Sequence, residues 1–71
     1  MSITPQQTEK LLHENYAFSQ LCFSMLINRM KAQYAKAPSP STVQTCTDEI
    51  NSFLQHFDAI MGDDMAVIAE I

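Results

Sequence analysis

Residues 16–30 read YAFSQLCFSMLINRM, and what covers this stretch decides the fold. Positions three and four apart share a helix face. One apolar stripe therefore runs through Leu12, Tyr16, Phe23, Ile27, Met30 and Tyr34, and a second through Leu11, Phe18, Leu21, Cys22 and Met25. Only a narrow polar strip remains, made of His13, Gln20, Ser24, Asn28 and Lys31. Uninterrupted apolar runs in the chain reach three to five residues, whereas a membrane-spanning helix needs roughly 20. The expected cover is protein, not lipid.

Working outward, Thr4 is an N-cap candidate with Pro5 at the first helical position, where a missing N–H costs nothing. Nothing in the local sequence breaks the pattern until APSPS, residues 37–41, where Pro38 and Pro40 disfavour helix for the residues before them. The spacing thus predicts a first helix over about 5–36, roughly 48 Å long at 1.5 Å per residue. A second helix is expected over about 41–61, capped by Ser39 with Pro40 at its first position, or by Ser41. Its apolar positions Val43, Cys46, Ile50, Phe53, Phe57 and Ile60 form a single amphipathic face. Gly62 can end that helix, and Asp63 or Asp64 can cap a short tail helix over 63–71. The fold class expected is all-α: one domain, a long antiparallel helical hairpin with a short C-terminal helical segment.

A chain of 71 residues buries only about 60% of its unfolded surface, so a single core leaves a thin margin. A short loop makes consecutive helices antiparallel neighbours, and the single apolar face of the second helix can cover one stripe of the first but not both. Fully burying one Phe, Leu, Ile or Met contributes roughly 1.5–3 kcal/mol. Four or five such groups left in water would forfeit an amount comparable with the whole stability of a small domain, about 5–15 kcal/mol. The expected remedy is a second copy of the chain. Symmetric dimers are the commonest oligomers, and two hairpins joined by their first helices make a four-helix bundle. The interface residues expected are Phe18, Leu21, Cys22, Phe23, Met25, Ile27 and Met30. Arg29, Lys31 and Lys36 lie near the loop end and Glu9, Glu14, Asp63, Asp64 and Glu70 at the open end, a placement that biases the pairing toward antiparallel.

The net charge of −4 and only four basic residues argue against a nucleic-acid ligand, whose phosphates are held by Lys and Arg. The start MSITPQQTEK has neither a basic region nor an apolar core, so a cytoplasmic protein is expected. Cys22 and Cys46 fall about nine residues out of register in an antiparallel hairpin, on the order of 13 Å, which is beyond disulfide reach. They read as small buried hydrophobes in a reducing compartment. A single glycine leaves little means to build a phosphate cradle or a nucleophile elbow, so no enzymatic activity and no cofactor are expected. The one polar cluster of note is Glu9, His13, Asp63 and Asp64, which the hairpin register gathers at its open end as a candidate set of metal ligands. More ordinarily, these residues form a solvated acidic end with a helix cap.

The reading that results is a non-enzymatic interaction module, a self-associating helical hairpin that binds another protein as adaptor, chaperone or inhibitor. Met65, Ile68 and Ile71 in the tail, with Phe18 and Met25, are the expected partner contacts. The alternative is a metal-binding or metal-sensing protein using the open-end cluster.

Overall fold

A computed structural model describes residues 2–34, 36, 38–56 and 62–71. Among them are four helices and no strand: α1 (Pro5–His13), α2 (Leu21–Tyr34), α3 (Pro40–His56) and α4 (Gly62–Glu70). The expectation of an all-helical chain holds. The continuous helix over 5–36 does not: it is broken into α1 and α2 by an irregular stretch at residues 14–20. A straight helix of that span would be roughly 48 Å long, and the longest dimension of the molecule is 30 Å.

Local chemistry sets the starts of α1 and α3. Thr4 is extended, its hydroxyl accepts from Gln7 N–H at 3.2 Å, and the Gln7 amide oxygen accepts from Thr4 N–H at 2.8 Å. This reciprocal pair satisfies two donors that a helix start otherwise leaves open. Ser39 caps α3, accepting from Thr42 N–H at 3.2 Å, with Pro40 in the first turn. Of the two starts the sequence allows, the Ser39 one is formed. The last residues of the expected second helix, including Phe57 and Ile60, lie outside the described residues.

The break is made by tertiary contacts. Glu14 turns extended (φ −114°, ψ 159°) directly after α1, with no glycine or proline there to force it. Two charged side chains from elsewhere hold the ends. Lys31 of α2 donates to the Glu14 carbonyl at 3.0 Å and to the Asn15 side-chain oxygen, putting a cation at the negative end of α1. Asp64 of α4 accepts Ser19 N–H at 2.7 Å and Gln20 N–H at 2.9 Å, putting an anion at the positive end of α2. Asp64 itself sits in the first turn of α4 and is 1% exposed. Its carboxylate therefore lies where two helix N-termini meet.

The break answers the question of cover. Folded back, α1 is the helix whose backbone approaches both α2 and α3 most closely. It buries Thr8, Leu11 and Leu12, and Ile3 just before it is buried too. Against these lie Phe23, Ile27 and Met30 of α2, Cys46 and Ile50 of α3 and Ile68 of α4, all in one cluster. The total accessible surface is 4573 Å², close to the ~4450 Å² that a folded monomer of this mass ordinarily exposes. Among the described residues, most large apolar side chains are buried or half-buried within the one chain.

Polar side chains of α1 fasten it at both ends. The hydroxyls of Thr8 and Thr47 lie 2.6 Å apart in the core, and each also reaches a carbonyl one turn back, Thr4 O at 3.2 Å and Val43 O at 2.8 Å. Whichever hydroxyl donates to the other, both protons are used. The Asn51 amide of α3 clasps the Ile3 backbone, accepting from its N–H at 2.7 Å and donating to its carbonyl at 3.2 Å. Gln7 donates to Ile68 O at 3.3 Å and Lys10 to Ile71 O at 3.4 Å, satisfying carbonyls at the C-terminal end of α4.

Replacing Asp64 with Ala leaves two backbone donors without their anion and is expected to lower stability by about 2 kcal/mol. Asp64→Asn, which keeps one acceptor oxygen, should lose less. Urea unfolding followed by circular dichroism measures both, and an Asp64→Ala protein as stable as the parent would show that the cap does not hold the break.

Candidate functional site: an apolar groove between α2 and α3

Among the described residues, two large hydrophobic side chains remain in water, Leu21 at 71% and Met25 at 60% exposed. Both stand on α2, on the face turned away from α1. Beside them lies an open groove of about 360 Å³ lined by Cys22, Met25, Leu26 and Arg29 of α2 and Phe53 of α3. The backbones of α2 and α3 approach less closely than either does α1, and large side chains fill the interval. Phe18 meets Phe23 edge-on at 4.8 Å between ring centroids, and Phe23 meets Phe53 at 5.5 Å. These three rings give the groove a rigid aromatic backing, in the edge-on and tilted geometries aromatic pairs prefer.

Charge at the groove is light. The Arg29 guanidinium lies 3.5 Å from Glu49 across the α2–α3 boundary. Both side chains are more than half exposed, so the pair adds little stability and the guanidinium stays accessible. The groove thus offers apolar area, one cation and one thiol.

The two cysteines differ in environment. Cys22 is exposed at the groove and Cys46 is buried, and both are free. Burial, and secondarily the charge of Glu49, pushes the Cys46 thiol up from its ordinary value. Both effects disfavour the thiolate, the reactive form. The expectation of two buried cysteines is corrected for Cys22: once α1 folds back over the first stripe, the second stripe's outer edge is left uncovered.

The residues singled out from sequence separate in the same way. Of the expected interface set, Phe23, Ile27 and Met30 are buried in the chain's own core, Phe18 is half-buried against it, and Leu21, Cys22 and Met25 are exposed. In the tail, Ile68 is buried at 1% while Met65 and Ile71 are half-buried. The open-end cluster is not formed. Glu9, His13 and Asp63 are exposed, both Asp64 oxygens are occupied by backbone N–H groups, and the described residues contain no group of three or more His, Cys, Asp or Glu side chains placed to hold a metal ion. The hairpin register that would have gathered them needs the unbroken first helix. Among the described residues, no helix is long and apolar enough to cross a membrane.

A second hollow of about 210 Å³ is lined by Ser2, Asp48, Asn51, Ser52 and Gln55. Its central amide, Asn51, is already engaged with the Ile3 backbone, and Asp48 accepts from Gln44 at 3.0 Å. Sequence reading passed over Arg29, Leu26 and Phe53 as groove residues, and nothing local marks them. The buried threonines did leave a signal, since Thr8 and Thr47 each fall on an apolar stripe, with Leu11 and Leu12 or with Val43 and Ile50.

Compared with family models, with curated proteins and with solved structures, the chain finds no match.

With Ellman's reagent the native protein should release one equivalent of thiol rapidly and the second only in denaturant. In Cys22→Ser the fast phase should vanish. Equal rates for both thiols would contradict the burial of Cys46.

Proposed function

We propose that this chain is a non-enzymatic protein-interaction module that self-associates and engages another protein as adaptor, chaperone or inhibitor, with the α2–α3 groove as its contact surface. The observation that carries the reading is a contrast: an 8.0 kDa chain that closes its own core nonetheless leaves Leu21 and Met25 in water beside an apolar groove. Exposed apolar groups gathered next to a concavity are the usual mark of an interaction site.

An amphipathic helix suits such a groove. It would set side chains at i, i+3 and i+4 over Cys22, Leu26 and Phe53 and could offer a carboxylate to Arg29. A second copy presents a helix of that kind in α2 itself, and two α2 faces joined through Leu21 and Met25 would make a symmetric dimer, of two four-helix protomers in place of two hairpins. Because these apolar groups are mostly exposed and pack little in the monomer, they can be altered without harming the fold. Cytoplasmic residence accords with two free thiols.

Met25→Asp should leave helicity and unfolding midpoint near those of the parent while weakening self-association by at least about tenfold in sedimentation equilibrium, since a desolvated carboxylate would have to enter the contact. Phe23→Asp, by contrast, should fail to fold, because Phe23 is 0% exposed. A Met25→Asp protein that associates as strongly as the parent would remove this face from the reading.

A further inference from the structure

The stretch between α1 and α2, ENYAFSQ at residues 14–20, is unusual for a linker. It contains no glycine and no proline, and the apolar spacing runs through it without a slip of phase, from Leu12 to Tyr16 to Phe23. Apolar phasing and the absence of a helix breaker allow one continuous helix here. What opposes it is tertiary: Asp64 holds the N–H groups of Ser19 and Gln20, and Lys31 holds the Glu14 carbonyl and the Asn15 side chain. If this stretch becomes helical, those backbone groups turn to intrahelical partners and both clamps open.

We propose that residues 14–20 are a hinge through which two copies of the chain exchange their N-terminal segments, Ser2–His13. In the exchanged pair each chain carries one helix from about Pro5 to Tyr34. Its first part lies on the α2, α3 and α4 of the other chain. Every contact that α1 makes at home is available there: Thr8 with Thr47, Ile3 with Asn51, and Gln7 and Lys10 with the Ile68 and Ile71 carbonyls. Exchange of an identical element costs little because the contacts are remade. The balance is set at the hinge, where the two clamps are lost and helical hydrogen bonds gained. The exchanged pair also forms one new contact, where the two hinges pass each other. Leu21 and Met25, the large apolar side chains left in water, follow directly after the hinge and would be covered there. This inference rests on the self-association proposed above and specifies its route.

Three sets of variants test it by sedimentation equilibrium and circular dichroism. Asn15→Ala/Ser19→Ala alters two exposed positions, raises helix preference and removes one Lys31 contact. Each dimer has two hinges, so four substitutions act on one equilibrium, and the association constant should rise on the order of tenfold or more. Helicity should increase as the dimer forms. Ala17→Pro, and Ala17→Gly should the proline variant fail to fold, should lower the constant by a similar factor. The third set, Thr8→Cys/Thr47→Cys made with Cys22→Ser and Cys46→Ala, reports which chain each α1 lies on. Oxidised with glutathione disulfide, an exchanged dimer gives crosslinks between chains and a monomer gives them within one. Dimers that ignore the hinge substitutions, or that crosslink only within chains, would overturn the exchange and leave the face-to-face pairing standing. Monomers in every variant, at millimolar concentration, would overturn both.

Discussion

The carboxylate of Asp64 is the point on which the arrangement turns. It lies almost wholly out of water, in the first turn of α4, and accepts the two backbone N–H groups that open α2. Burying a carboxylate is costly unless its oxygens are satisfied, and here the residues that open α2 supply both donors while the helix N-termini of α2 and α4 supply favourable dipoles. One side chain thereby ties the C-terminal helix to the start of the second helix and supplies a cap that α2 lacks in its own sequence. Gln20, at the capping position of α2, is not among the residues that cap well locally. Its carbonyl accepts the first intrahelical bond, from Ser24 N–H at 3.0 Å, while its N–H is served from 44 positions away.

The cap matters because of what it lets α1 do. A helix running straight through residues 14–20 would hold Leu11 and Leu12 far from Ile27 and Met30. With the break, these side chains meet in one cluster with Ile50 and Ile68, and α1 becomes the element touching all the others. Lys31 at the far side of the break contributes the complementary charge. The pairing at each end follows the helix dipole, cation at the end of α1 and anion at the start of α2. Tyr16, within the break, donates to Glu14 at 3.0 Å. Partial burial first, and that carboxylate second, hold its phenol above the usual tyrosine range.

Self-closure also explains where the exposed apolar edge falls. Covering the inner stripe of α2 with α1 turns the opposite edge outward, and that edge carries Leu21, Cys22 and Met25. The groove they flank is backed by Phe18, Phe23 and Phe53, so its shape is held by the same rings that fill the core. Exposed apolar edge and hydrophobic core are thus two sides of one helix. The hinge proposed at residues 14–20 directly precedes that edge in the chain.

Several features were legible in the residues alone. The all-helical class, the Thr4 cap, the Pro38–Pro40 boundary and the inward face of α3 at Val43, Cys46 and Ile50 all follow from local propensity and three-four spacing. Those signals act within one turn of a helix and need no knowledge of the rest of the chain. The excess of apolar perimeter over residues 16–30 was equally plain, since it is a matter of counting faces. How that excess is hidden was not. The break at 14–20, the separation of Phe23, Ile27 and Met30 from Leu21 and Met25, and the capture of Asp64 as a cap and not as a metal ligand all depend on contacts between residues 16 to 61 positions apart. Apolar phasing at residues 14–20 points to helix, and it is outweighed because bending there lets α1 bury a whole apolar face against α2, α3 and α4. That gain belongs to the packed assembly of helices and to no single segment, so only the tertiary structure could decide it.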